Sequence, residues 1–367
     1  MNVPFSYLKW QFANPDRIWK DVKKVVLRGD FTLGKEVAEF ERKFAKAIGT
    51  RYAVGVNSGT DALFLSLKAI GVGPGDEVIT MTSTFIATVG AIAASGARPV
   101  FVDCNDEYIM NVDQVEKVIT SRTKAIVPVH YAGHPVDMPR LMEIAKKHNL
   151  EVVEDACQAV SGAIEGQTVG SIGIAGGFSL HPLKNINVWS DAGVITTQSE
   201  ELYKKLLLLR NHGMKNRDEY SIFGYNSRLD TVQAAVGLHI IKQLDSITKK
   251  KIEHAAIYDK AFRQIPQITV PQRRKGVKYV YHLYIIQAER RDELLKFLNA
   301  NGVEAKVHYP MPLHLQECCK PLGYKAGDFP VAEAQAKRII TLPAHQHLSH
   351  KQIEYTIKKI KEFYEAA

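Results

Sequence analysis

Between about residues 76 and 154 the chain alternates short apolar runs with amphipathic stretches, and this alternation restricts the fold more than any other feature. Glu77–Met81 reads as a buried strand, residues 84–95 as a helix closed by Gly96, and residues 99–102 as the next strand. The repeat continues with a helix over 112–119, a strand over 125–129, a helix over Met138–His148 and a strand over 151–153. Pro139 suits the first turn of that last helix, and Asp137 can cap it. Short apolar strands separated by helices predict an α/β fold with a largely parallel sheet buried on both faces. Ligands of such sheets bind outside the carboxyl ends of the strands, where Asp155 falls.

Further along, residues 194–197 read as a strand, and Ser199 can cap a helix running towards Arg210. Beyond about Asp245 the texture changes to basic helices and short aromatic strands such as 280–286. The expected division is a large domain over residues 1–245 and a smaller C-terminal domain over 246–367, which suits the size of the chain. The stretch up to about Arg28 could pack on either domain or on a second subunit.

Composition excludes several classes. With 46% hydrophobic and 24% charged residues the chain is of the ordinary globular kind. The 48 basic residues against 39 acidic ones favour an anionic ligand, but they are scattered, as in Lys249-Lys250-Lys251, without the basic stripe that nucleic acid requires. No apolar run is long enough for a membrane span, and the N-terminus lacks the pattern of a signal peptide. Cys104, Cys157, Cys318 and Cys319 form no CxxC pair, so reduced thiols and a cytoplasmic location are expected, with no metal site.

Several residues can carry chemistry. A lysine can condense with an aldehyde, and a carboxylate at a strand end can keep a pyridine nitrogen protonated; Lys184 and Asp155 together suggest a pyridoxal phosphate enzyme. Ser58-Gly59-Thr60 precedes an apolar helix over 62–70, offering backbone N–H groups, a positive dipole end and two hydroxyls to an anion. Phe85 follows a strand end and could stack on a planar ring, Gln158 could hydrogen-bond a phenolic oxygen, and Ser179 could add a hydroxyl to a phosphate site. Gly73-Pro-Gly-Asp76 precedes a strand and reads as a tight turn; the strand-GxGxxG-helix order of a nicotinamide site is missing. The stiff loop from His308 to His314 could line a substrate entrance.

Taken together, these segments resemble the DegT/DnrJ/EryC1/StrS sugar aminotransferases, which have the aspartate aminotransferase fold (fold type I). The motifs are Gly34-Lys-Glu-Val-Ala-Glu-Phe-Glu41, Val56-Asn-Ser-Gly-Thr-Asp-Ala-Leu63, Glu154-Asp-Ala-Cys-Gln158, Phe178-Ser-Leu-His-Pro-Leu-Lys-Asn185, Arg210-Asn-His-Gly213, Gly224-Tyr-Asn-Ser-Arg-Leu229 and His308-Tyr-Pro-Met-Pro-Leu-His314. The resemblance implies a seven-stranded, mostly parallel sheet between helices and a smaller C-terminal α+β domain. It implies that pyridoxal 5'-phosphate is held covalently by Lys184, that Asp155 pairs with the ring nitrogen, Phe85 stacks on the ring and Gln158 contacts its phenolic oxygen. Ser58, Gly59, Thr60 and Ser179 would hold the phosphate, with Asn226 reaching across from a second subunit, so that a homodimer shares its sites. His308, Tyr309 and His314 are expected to meet the substrate, and Trp189 to border the sugar pocket.

Where the family usually shows GDGG, this chain has Ser190-Asp-Ala-Gly193, which adds side chains where glycine would allow close approach or positive φ. Some relatives carry histidine in place of the lysine and act as dehydratases; retention of Lys184 favours transamination. The expected reaction moves an amino group from an amino acid, by resemblance glutamate, to a nucleotide-linked keto sugar in a ping-pong cycle. A free or phosphorylated keto sugar, a keto-cyclitol, a lyase or dehydratase reaction, and a non-enzymatic regulatory role are the alternatives.

Overall fold

The computed structural model describes residues 1–365. Its strands are β1 (Tyr52–Val56), β2 (Glu77–Met81), β3 (Arg98–Val102), β4 (Thr123–Ile126), β5 (Glu151–Asp155), β6 (Ala163–Ile164), β7 (Gln167–Thr168), β8 (Ala175–Ser179), β9 (Gly193–Thr197), β10 (Ile268–Thr269), β11 (Val277–Lys278), β12 (Tyr284–Ala288) and β13 (Ile339–Leu342). Seven of them form one sheet in the order β1-β9-β8-β5-β4-β2-β3. Only β9 runs against its neighbours in that sheet; the other adjacent pairs are parallel. The sheet is therefore of the expected mostly parallel kind.

Side chains alternate between its two faces. Ala53, Phe178 and Val194 enter a core with the helices Asp16–Arg28, Lys35–Ile48 and Thr231–Ile240. Their neighbours Val54, Ala175 and Ile195 pack instead against the helices Gly59–Ala69 and Glu200–Leu209. Burial on both sides explains the near-continuous apolar runs.

The strands β10, β12 and β13 form an antiparallel sheet whose core includes Tyr258, Phe262, Tyr284, Leu294, Leu298 and Ile353. The alternate residues Ile285 and Ile339 join Ile79, Met81 and Phe101 in a core shared with the large sheet. The helix Leu244–Phe262 begins in one core, with Leu244 and Ile247, and ends in another, with Tyr258 and Phe262. The N-terminal stretch divides as well. Val3 bridges Val303, with its N–H on the Gly302 carbonyl at 2.8 Å, while Ile18, Val22 and Val25 sit in the core of the large sheet.

Two elements differ from the sequence expectation. Residues 112–119 form a 3-10 helix over Val112–Val118. The aromatic run 280–286 becomes a strand only at Tyr284, because Tyr281 takes a left-handed backbone (φ 47°) that interrupts it. That interruption turns His282 and Leu283 towards the cavity described next.

Candidate active site

The parallel strands share one carboxyl edge, and the residues that follow them meet there. Val56 and Ser179, the last residues of β1 and β8, both pair with Gly193, the first residue of β9. Asp155 closes β5, and Phe85 lies just beyond β2. A cavity of about 370 Å³ opens at this edge, and its walls include Ser58, Gly59, Thr60, Phe85, Asp155, Gln158, Ser179, Lys184, His308 and Tyr309.

The Asp155 carboxylate is buried and oriented from two sides: Thr88 Oγ1 donates to Oδ2 at 2.7 Å, and the Cys157 N–H donates to Oδ1 at 3.1 Å. Each oxygen retains a lone pair for a further donor. Glu154 points to the opposite face and accepts from the N–H groups of Gly170, Ile172 and Gly173 at 2.7–2.8 Å. The Val136 N–H donates to Nδ1 of His130, so the other ring nitrogen carries hydrogen and donates to Glu154 at 3.0 Å. This network pins the segment leading into β8.

Ser58 caps the helix Gly59–Ala69, its Oγ accepting from the Asp61 N–H at 3.0 Å. The Gly59 and Thr60 N–H groups belong to the first helical turn, where no intrahelical acceptor exists. A Cβ on Gly59 would lie 2.7 Å from Ser179 Cβ and 2.9 Å from Cys157 Sγ. The three segments therefore close into a cradle that only glycine at 59 permits.

Lys184 sits in a turn, its N–H on the His181 carbonyl at 2.8 Å, while its own carbonyl accepts from Tyr7 Oη at 2.7 Å. Burial pushes its ammonium below the usual lysine range, with Cys157 and Asp155 pulling it back up. Such a group gives up its proton more easily and is a better nucleophile. Phe85 stands half-exposed on the wall, its ring centroid 5.8 Å from that of Tyr309. Gln158 accepts through Oε1 from the Ala132 N–H at 2.7 Å, which leaves its amide N–H groups to donate. Burial raises the Tyr309 hydroxyl to about 12 and lowers His308 to about 4, so both are neutral near pH 7.

Three expected residues are not at the cavity. His314 is buried with both ring nitrogens engaged, Nδ1 with Thr82 Oγ1 at 2.8 Å and Nε2 with Glu333 at 3.0 Å, and does not line the cavity. Trp189 lies against Trp19 (centroids 4.6 Å) and Phe12 (6.1 Å), within an aromatic cluster away from the cavity wall. Asn226 is exposed and bridges Asn211, outside the cavity of its own chain.

The Ser190-to-Gly193 departure also resolves. Neither Ser190 nor Ala192 has a left-handed backbone; Ser190 is exposed and Ala192 is packed in the core. Asp191 lines the cavity, and a Cβ on Gly193 would fall 2.1 Å from the Ser58 carbonyl oxygen. The positions that differ thus avoid the close approach, and the one that cannot change is glycine.

Sequence reasoning missed Phe5, Tyr7, Thr88, Lys251, His282 and His345, all on the cavity wall. Tyr7 and His345 lie near the two ends of the chain, with centroids 5.4 Å apart, and no local pattern links them. Lys251 had a signal: Leu244, Ile247, Thr248, Lys251, His254, Ala255 and Tyr258 form the buried stripe of one helix.

The donor set matches pyridoxal 5'-phosphate: a helix N-terminus with a glycine cradle for the phosphate, a buried carboxylate for the ring nitrogen, an aromatic wall and a desolvated lysine. Known proteins give the same answer. The sequence model of the DegT/DnrJ/EryC1/StrS aminotransferase family matches residues 14–361. The chain is 41% identical to the "Pleiotropic regulatory protein" of Geobacillus stearothermophilus, covering 99% of both chains. It is 39% identical to the dTDP-3-amino-3,4,6-trideoxy-alpha-D-glucose transaminase of Streptomyces venezuelae, over 99% of this chain and 96% of that one. Its fold superposes on a crystal structure of S. venezuelae DesV in complex with a ketimine intermediate with a TM-score of 0.96, 38% identity and coverage of 99% and 98%. On its motifs, its cavity and these matches, the chain belongs to the DegT/DnrJ/EryC1/StrS aminotransferase family.

Proposed function

We propose that this protein is a pyridoxal phosphate-dependent aminotransferase that moves an amino group from glutamate to a nucleotide-linked keto sugar. The observation that carries this reading is the convergence of Lys184, Asp155 and the Ser58-Gly59-Thr60 helix start on one cavity. Bound there, pyridoxal 5'-phosphate supplies an aldehyde that condenses with amines and a ring that withdraws electrons from the carbon bearing them. Asp155, fixed by Thr88 and the Cys157 N–H, keeps a proton on the ring nitrogen. Because the carboxylate is already oriented, it stabilises developing charge without reorganisation. Lys184 Nζ would hold the cofactor covalently and, when free, would take a proton from the substrate carbon and return it as general acid. Its low proton affinity suits both directions. Gln158 donates towards the phenolic oxygen, while Phe85 and the neutral Tyr309 and His308 hold the reacting group and exclude water.

The sugar transaminase from S. venezuelae supports a nucleotide-linked acceptor. The chain works as a homodimer, with Asn226 of one protomer completing the phosphate site of the other. Its exposed position, three residues after the fully exposed Phe223, supports this assembly. We assign residues 1–245 and 246–367 as its large and small domains. The four cysteines are free and no described helix is long and apolar enough to cross a membrane, in keeping with a cytoplasmic enzyme.

Glutamate added to the holoenzyme should bleach the cofactor's visible absorbance, and a nucleotide-linked keto sugar should restore it. A lyase or dehydratase would turn over the sugar without consuming the donor. The regulatory role in one relative's name predicts no spectral change at all.

A further inference from the structure

Lys251 is the least explained charge in the molecule. It lies on the helix Leu244–Phe262, is 2% exposed, and still lines the cavity that holds Lys184. Its Nζ donates to the Tyr281 carbonyl at 3.2 Å and sits 5.9 Å from the ring centroid of Tyr7, whose hydroxyl holds the Lys184 carbonyl. Among the described residues no carboxylate lies within ion-pair distance of it. An ammonium at this depth without an anion is costly, and a surface role is closed to it. The left-handed turn at Tyr281 that interrupts the aromatic strand is also what presents a carbonyl to this one cation.

We infer that Lys251 binds a carboxylate of the amino donor and so selects a dicarboxylic amino acid for the first half-reaction. This rests on the aminotransferase reading above. A sugar-linked diphosphate is the other anion that enters such a cavity. It is bulky and carries a nucleoside, which suits the open side, whereas a carboxylate is small enough to reach a cation at the buried wall. The surroundings fit a site that takes up charge with its ligand. Burial lowers Lys251 to about 7. The ionisable groups facing it are Tyr7, raised by burial, and His282 and His345, both lowered by burial first and by Lys251 itself among other cations. These three are neutral between pH 6.5 and 9, so Lys251 is the group among them that changes charge there. An arriving carboxylate favours the ammonium, and its binding therefore weakens as pH rises above 7.

The test uses the holoenzyme and glutarate, a dicarboxylate without an amino group, titrated by calorimetry. Wild type should bind glutarate, with affinity falling by about tenfold per pH unit between pH 7.5 and 9. Lys251→Met should weaken glutarate by about 10- to 100-fold and remove the pH slope, Lys251→Arg should restore affinity without the slope, and dTDP or UDP binding should change less than twofold. Cofactor absorbance and thermal midpoint of each variant verify that the fold and the loaded site are intact. Failure of wild type to bind glutarate, or unchanged binding in Lys251→Met, overturns the assignment. Loss of nucleoside diphosphate with glutarate retained overturns it in favour of the sugar phosphate. The aminotransferase reading fails separately, if glutamate leaves the wild-type absorbance unchanged.

Discussion

The chemistry of this chain resides in a few side chains that hold one another in place. Borohydride reduction of the holoenzyme should fix the cofactor on the peptide carrying Lys184, and label elsewhere would refute that assignment. Asp155→Asn keeps the bond from the Cys157 N–H but makes the Thr88 hydroxyl an acceptor and loses the charge, and kcat should fall by about 10²–10³-fold. Thr88→Val removes the hydroxyl that orients Asp155 and should cost roughly tenfold in kcat with little change in cofactor affinity, as steady-state rates and cofactor titration would reveal. The meeting of Asp155 and Lys184 at one cavity was legible in the sequence, because a strand end and a loop motif mark the two positions. Thr88 was not, since its role exists only once β2 and β5 bring the helix start over the carboxylate. The burial of His314 was not legible for a similar reason: Glu333, 19 residues later, closes over it only in the fold.

At the scale of elements, the site depends on how closely backbones approach. Gly193→Ala puts a methyl group 2.1 Å from the Ser58 carbonyl, so either β9 or the helix start must move. The expected outcome is loss of cofactor binding, measured by absorbance, whereas Gly73→Ala, which meets nothing within 4 Å, should leave it intact. Ser58→Ala should lower stability by about 1 kcal/mol through the lost cap. The alternation between residues 76 and 154 revealed the parallel sheet because strands buried on both faces leave an unbroken apolar mark. The reversed direction of β9 left no such mark: its residues are as buried as those of its neighbours, and direction is decided by the chain outside the strand. Only the latter part of the run 280–286 forms a strand, from Tyr284, because one left-handed residue, Tyr281, overrides the β propensity of its neighbours.

For the whole molecule, buried neutral histidines set the response to acid. His134 and His345 are both buried, and burial lowers each to about 3, against a usual value near 6.5. Below pH 6.5 the unfolded chain takes up protons that the folded chain refuses, so stability falls as pH drops towards 3. The two together cost roughly 3 kcal/mol per pH unit. Thermal midpoints between pH 7 and 4 should decline accordingly, and His134→Gln should give a shallower curve. The proposed dimer predicts complementation. Lys184→Ala and Asn226→Ala chains, each inactive at limiting cofactor, should recover roughly a quarter of wild-type activity when refolded together, since statistical mixing leaves one intact site in half the dimers. No recovery would mean that each chain completes its own site. The helix Leu244–Phe262, rooted in one core and ending in another, has a practical corollary for building chimeras from relatives with different sugar preferences. A crossover inside it would give two cores mismatched halves at once and would separate Lys251 from the cavity it lines, so fold and donor choice should both survive only when this helix is exchanged whole.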